Sequence, residues 1–185
     1  MAIAPPPASE IYATLIGSVD AAMVQRVFAA GPIAVNGGAK KLHLLIHSPG
    51  GAVADGIALY NYLLNLPLEI ITCNAGTVSS IAAIIYLSGK LRKVSKAATF
   101  MIHKSTFTFT APTTADRLKT SAEGLLIDDR RCEMILREHL HLTPERWEIH
   151  QRGELTLTAE EGVEFGLAHE IGDWAPPPGA PLAAI

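Results

Sequence analysis

The spacing of apolar residues in the first hundred positions predicts strands and helices in turn. Short runs rich in branched and aromatic residues predict four strands, at "IYATLIG", "LHLLIHS", "LEIITCN" and "ATFMIH". Between them, "DAAMVQRVFAA", "ADGIALYNYLLNL" and "SSIAAIIYLSG" have helical spacing, whereas residues 31–41 hold three glycines and a proline and predict a loop. Because strands and helices succeed one another in this order, we expect right-handed crossovers and an α/β fold with a largely parallel sheet.

The second half of the chain has a different pattern. "STFTFTAP" alternates threonine with aromatic residues and is compatible with a strand or a hairpin arm. The charged stretch from 114 to 142 predicts one long helix, with a break near Gly124. "TPERWEIHQR" predicts a helix that begins with a threonine N-cap and a proline, and "ELTLT" predicts a short strand. Thr158 and Glu161 have the spacing of a capping box at the start of a last helix.

The two ends of the chain are rich in proline, which predicts extended tails over residues 1–10 and 175–185 that add nothing to the core. Residues 11–174 are then a single domain, and 49% hydrophobic against 18% charged residues is typical of a globular protein. No signal-peptide pattern is present, and the longest apolar run is too short to span a membrane, so we expect a cytoplasmic protein.

Charge and cysteine content exclude several kinds of partner and chemistry. A net charge of -3 leaves no electrostatic footprint for nucleic acid or an anionic membrane. The two cysteines, Cys73 and Cys132, fall within apolar or helical patterns and are expected to be buried free thiols. His139, His141 and His150 lack the spacing of a metal site and are interpreted as surface histidines.

Several chemically capable residues follow predicted strands, where parallel α/β sheets form their sites. "HSPGG" follows the second strand, "NAGTVSS" the third, and "MIHK" ends the fourth. A serine at a helix start, a histidine and flexible glycines are what acyl transfer requires as nucleophile, base and oxyanion donors. Spacing alone equally allows Ser79 and Ser80 to be N-cap or packing residues and His103 to be a hydrogen-bonded strand-end histidine.

The order of these motifs along the chain favours a catalytic role for these residues over a purely structural one. "LHLLIHSPGGAVADGIALYNYL", "NAGTVSSIAAIIYLSGKLRKVSKAATFMIHKS" and "LTAEEGVEFGLAHEI" occur in sequence. Together they resemble the proteolytic subunit of the Clp protease family. The resemblance implies a ClpP/crotonase-like α/β fold, a spiral of βαβ units with a projecting helical handle at about residues 112–142.

The resemblance also implies roles for individual residues. Ser80, four residues after Gly76, matches the family's nucleophile, and His103 of "MIH" matches its base. Gly51 and the amide of Ile81 match the oxyanion hole. The family normally carries an aspartate before its "LTA" stretch, and an ungapped count reaches Glu154 here, which we therefore expect to orient His103.

The implied function is that of a serine endopeptidase that cleaves peptides or unfolded proteins inside an oligomeric chamber, with no metal or organic cofactor. The handle implies a homo-oligomer of rings. An ATP-driven unfoldase is a less secure expectation, because the segment before the first strand is short and rich in proline. Two alternatives remain at this stage: a catalytically silent structural subunit, suggested by the glutamate at position 154, and a crotonase-type acyl-CoA enzyme on the same fold.

Overall fold

The computed structural model describes residues 9–180 and 182–185. Its helices and strands follow one another as β1 (Glu10–Ile16), α1 (Ala21–Asn36), β2 (Lys41–Ser48), α2 (Val53–Asn65), β3 (Glu69–Ser79), α3 (Ile81–Tyr86), β4 (Leu91–Val94), β5 (Thr99–Ile102), α4 (Ala115–His139), α5 (Pro144–Arg152), β6 (Leu155–Thr158), α6 (Ala159–Glu164), β7 (Glu170–Ile171) and β8 (Leu182–Ala184).

One sheet carries the fold, in the order β6-β5-β3-β2-β1-β8, with β4 between β3 and β7. Every pairing is parallel except that of β5 with β6. The predicted α/β class with a largely parallel sheet is thus confirmed. Every second residue of β2 is buried, most of β3 is buried, and the core includes Leu15, Leu44, Ile46 and Phe100.

Strand β3 has two neighbours on one side, and this arrangement positions the site. Its first half, Ile71–Asn74, pairs with β4, and its last residues, Thr77–Ser79, pair with β5. Ser79 lies opposite Met101 in this second pairing. The residues that follow the two strands therefore emerge side by side. The third strand was predicted to end at Asn74, because the sequence does not reveal that residues 75–79 gain a new partner.

Helix α1 extends six residues past its predicted end, into the segment predicted to be a loop. Pro32 lies inside this helix and cannot donate the backbone hydrogen bond to Phe28. The hydroxyl of Tyr62 on α2 donates to the Phe28 carbonyl instead, at 3.2 Å. A partner from another helix thus satisfies the group that proline leaves free, and the helix continues to Asn36.

Helix α4 runs 25 residues without a break at Gly124, and its N-cap is Thr114. The capping box of Thr158 and Glu161 is present as predicted. Residues 103–114 form no regular element, so the alternating "STFTFTAP" is not a strand here. None of the helices within the described residues is both long and apolar enough to cross a membrane.

The C-terminal segment is more than the predicted tail. Residues Leu182–Ala184 pair in parallel with Tyr12–Thr14 of β1, and Ile185 donates its backbone N–H to Thr14 at 2.9 Å. Ile185 is buried. The segment therefore adds an edge strand and one core side chain. The predicted N-terminal tail lies outside the described residues except for 9 and 10, and β1 begins at Glu10.

Candidate active site

Ser80 forms the turn between β3 and α3. Its φ of 56° and ψ of -130° make it the one residue other than glycine with positive φ in the described part of the chain. Side chains at such angles clash with their own backbone, so the conformation persists only where the surroundings enforce it. The N–H of Ser80 donates to the Met101 carbonyl at 2.7 Å, which fixes the turn against β5. The turn exposes the hydroxyl at the carboxyl end of the sheet.

His103 follows the last residue of β5 and faces this hydroxyl. Its Nε2 lies 2.8 Å from the Oγ of Ser80, well within hydrogen-bonding distance. Both side chains are half-buried. A neutral histidine with its proton on Nδ1 accepts the serine proton at Nε2, which is the arrangement that general-base activation of a serine requires.

Gly50 and Gly51 bring the backbone of the segment between β2 and α2 close to Ser80. Gly50 has φ of 97°, and a side chain on it would lie 2.6 Å from the Cβ of Ser80. Gly51 has φ of 155°, and a Cβ there would overlap the carbonyl oxygen of Val19. Only glycine allows this turn to approach both the turn at Ser80 and the loop before α1.

The amides of Gly51 and Ile81 are the predicted oxyanion donors. Neither donates a hydrogen bond to another group within residues 9–180 and 182–185. Both residues line a cleft of about 80 Å³ that also contains Ser80 and His103. The structure therefore gathers four of the five predicted site residues around one small cavity.

Comparison with known proteins places the chain in a family. A family model described as Clp protease matches residues 9–174. The chain belongs to the Clp protease family. The resemblance predicted from the sequence motifs is thus confirmed.

Curated members of the family share modest identity with the chain. The chain is 26% identical over 157 residues to "ATP-dependent Clp protease proteolytic subunit 2" of Pseudomonas aeruginosa strain PAO1. This match covers 84% of this chain and 77% of that protein. It is 26% identical over 132 residues to "ATP-dependent Clp protease proteolytic subunit" of Dehalococcoides mccartyi strain BAV1. That match covers 71% of this chain and 66% of the relative.

Glu154, the fifth predicted residue, lies elsewhere. Its side chain is exposed between α5 and β6, in a surface depression that it shares with Glu145, Glu148 and Arg152. Within the described residues no hydrogen bond joins Glu154 to His103. The structure does not bring this carboxylate to His103, and the orienting role of Glu154 stays a prediction without a supporting contact.

Helix α4 contributes groups to the site that the sequence interpretation missed. Lys104, directly after His103, donates to Glu133 at 2.6 Å, and Asp129 accepts the backbone N–H of Ser105 at 2.7 Å. The hydrogen bond from Lys104 lowers the pKa of Glu133. The spacing of Asp129, Cys132, Glu133 and Leu136 places them on one helical face, which is the signal that could have revealed them.

Cys132 and Leu136 form part of the cleft wall beside Ser80. Burial, together with the carboxylates of Asp128 and Asp129, raises the pKa of the Cys132 thiol to about 11. The thiol is therefore protonated near neutral pH and lines the cleft as a small apolar group rather than as a second nucleophile. Within the described residues no group of three or more His, Cys, Asp or Glu side chains is placed to hold a metal ion.

His150 departs from its predicted exposure. It lies on α5 with 2% of its surface exposed, so the interpretation as a surface histidine is wrong. Its helix packs against β6, and the ring lies edge-on to Trp147, with centroids 5.7 Å apart. Helical periodicity did not reveal this burial, because the apolar residues of α5 are too few to define a buried face.

Proposed function

We propose that this member of the Clp protease family is a serine endopeptidase in which Ser80 is the nucleophile and His103 the general base. The observation that carries the proposal is the 2.8 Å contact between the Ser80 Oγ and the His103 Nε2. The strained turn at Ser80, with no side chain on Gly50 to cover it, leaves the hydroxyl accessible from the cleft.

In the proposed reaction, the Oγ of Ser80 attacks a peptide carbonyl carbon while His103 takes the hydroxyl proton. The carbonyl oxygen becomes an oxyanion, and the free amides of Gly51 and Ile81 stabilise it by hydrogen bonds. His103 then returns the proton to the leaving amine, and an acyl-enzyme ester remains on Ser80. Water activated by His103 hydrolyses the ester and releases the second product.

The substrates proposed are peptides or unfolded proteins. The cleft of about 80 Å³ is lined by apolar side chains, including Val53, Ile84 and Leu136, and has space for part of a side chain rather than a folded surface. A chain in extended conformation can present its backbone carbonyl to Ser80, whereas a folded domain cannot.

The test is degradation of fluorescein-labelled casein by the purified protein. Ser80→Ala and His103→Ala should each abolish release of fluorescent peptides while the chain remains folded. Ser79→Ala is the matched control, because Ser79 is the adjacent serine but is buried in β3. If Ser79→Ala lost casein degradation while Ser80→Ala kept it, the assignment of Ser80 would be contradicted. A wild type that does not degrade casein would favour the alternative of a silent structural subunit.

Self-association into rings forms part of the proposal. Helix α4 leaves four large apolar side chains about half exposed, Leu118, Leu126, Ile127 and Met134. Exposed apolar side chains of this size along one helix favour burial against another subunit. Sedimentation of the wild type should give a mass several times that of the chain, and a Leu126→Asp/Ile127→Asp double variant should shift it downwards. A monomeric wild type at micromolar concentration would contradict this part.

A further inference from the structure

The chain leaves the sheet at His103, and the segment that follows has no regular structure. Strand β5 ends at Ile102, and residues 103–114 form neither a helix nor a strand. Within the described part of the chain, the ring of His103 is hydrogen-bonded to the hydroxyl of Ser80 and to no carboxylate. The direction of the imidazole therefore depends on whatever fixes the backbone beyond the end of β5.

Helix α4 fixes the two residues that follow His103. The carboxylate of Asp129 accepts the backbone N–H of Ser105 at 2.7 Å. One turn further along the helix, Glu133 accepts a hydrogen bond from the ammonium group of Lys104 at 2.6 Å, and both side chains are less than one-third exposed. Each of these hydrogen bonds includes an ionised group, which makes it shorter and stronger than a bond between neutral groups.

Glu133 is itself held in place by a second partner. Its Oε1 accepts a hydrogen bond from the Nε of Arg137 at 2.8 Å, while its Oε2 is bonded to Lys104. The guanidinium of Arg137 lies 4.2 Å from the centroid of the Trp147 indole on α5, within the range of a cation–π interaction. Because movement of the Glu133 carboxylate would break bonds at both oxygens, this side chain is a fixed anchor for Lys104.

We propose that Asp129 and Glu133 are positioning residues for His103, an inference that rests on the proposed function of Ser80 and His103. Pairing of β5 with β3 and β6 holds the backbone before His103. The two acids of α4 hold the backbone after it. The imidazole then stays opposite Ser80 although no carboxylate of the described residues is bonded to its ring. Without the two bonds, the segment after His103 can move away from α4, and the separation of Nε2 from Oγ increases.

The first experiment measures the rate at which a fluorophosphonate probe labels Ser80. Asp129→Ala removes the acceptor for Ser105 and keeps a good helix former, so it should slow labelling about 10- to 100-fold, the loss expected from a small displacement of a reacting group. Asp129→Asn keeps an oxygen that can accept the N–H and should restore most of the rate. Asp128→Ala is the matched control and should label like the wild type, because Asp128 is bonded to Arg131 of its own helix.

A double-variant cycle tests the second hydrogen bond. Lys104→Met and Glu133→Met each remove one charged partner, and each should slow labelling of Ser80 about 10-fold. The variant with both substitutions should label no more slowly than either single variant, because all three lack the same interaction. If the two effects multiply instead, the residues act independently, and the role of Glu133 as the anchor of Lys104 is wrong.

Steady-state cleavage of a fluorogenic peptide separates positioning from a general loss of structure. Displacement of the base should lower kcat and leave KM close to the wild-type value. A raised KM with unchanged kcat would overturn the inference, because the acids would then shape the cleft rather than position His103. Labelling that recovers at higher protein concentration would also overturn it, because α4 would then act through self-association.

Two remaining outcomes are decisive as well. Equal labelling rates in the wild type, Asp129→Ala and Glu133→Met would overturn the inference. If Asp129→Ala does not fold, the cycle at Lys104 and Glu133 decides alone. Absence of labelling in the wild type would instead overturn the proposed function of Ser80, so the two failures are distinguishable.

Discussion

The strained backbone of Ser80 gives a stability prediction that does not depend on knowing a substrate. Ser80→Ala and Ser80→Gly both remove the Oγ and its hydrogen bond to His103. Only the glycine variant also relieves the φ of 56°. The difference in unfolding free energy between the two variants therefore contains the backbone strain but not the lost hydrogen bond, which both variants share.

The magnitude follows from three contributions. Relief of an unfavourable backbone conformation contributes about 1–3 kcal/mol. The greater conformational entropy of glycine in the unfolded chain opposes it by about 0.5–1 kcal/mol. Loss of the half-buried Cβ, which packs against Gly50, removes less than the ~0.8 kcal/mol of a fully buried methyl group. With the strain in the middle of its range, Ser80→Gly should be more stable than Ser80→Ala by about 1 kcal/mol.

The assay is urea unfolding of both variants at equal protein concentration, since self-association would shift apparent stability. The reasoning is supported if the unfolding free energy of both variants falls equally steeply with urea concentration and Ser80→Gly has the higher midpoint. If Ser80→Gly unfolds at the same or a lower urea concentration than Ser80→Ala, the turn is not strained, and the account of how the fold exposes the nucleophile is wrong.

Two further predictions concern the turn at Gly51 and three histidines whose pKa is lowered. Gly51→Ala should lower kcat/KM for peptide cleavage about 100-fold, because its Cβ would displace the turn from Val19 and misplace one oxyanion donor; Gly124→Ala, which meets no atom within 4 Å, is the matched control and should keep wild-type kcat/KM. The free energy of unfolding should rise with pH up to about pH 7, because burial lowers the pKa of three histidines below the ordinary 6.5 and the unfolded chain then binds more protons. The stability gained in this way is lost again as pH falls through the lowered folded-state pKa values. The three histidines with a lowered pKa are His139, His150 and His169. Urea midpoints at about pH 5 and pH 7.5 check the direction, and equal midpoints would refute it.

The proximity of Ser80 and His103 could be predicted because its evidence is local. Ser80 and His103 each stand in a short motif at the end of an apolar run, and the ends of neighbouring parallel strands meet at one edge of a sheet. The backbone angles of Ser80 could not be predicted, because they depend on a hydrogen bond to Met101, in another strand.

The features that the sequence interpretation missed depend on contacts between distant segments. Helix α1 passes Pro32 because Tyr62, thirty residues later, satisfies the carbonyl that proline leaves free. The C-terminal strand forms because the edge of β1 is available to pair with it. An ungapped count matched Glu154 to the orienting acid, but a count of residues does not define the direction of a side chain, and that of Glu154 is exposed to solvent.

The most direct test of the central claim is peptide mapping after treatment with a fluorophosphonate probe, on the wild type and on His103→Ala. The account predicts one modified peptide in the wild type, with the added mass on Ser80, and little or no modification of Ser80 when His103 is absent. Modification of another residue, or equal modification of Ser80 without His103, would contradict the claim that this pair is the activated nucleophile and its base.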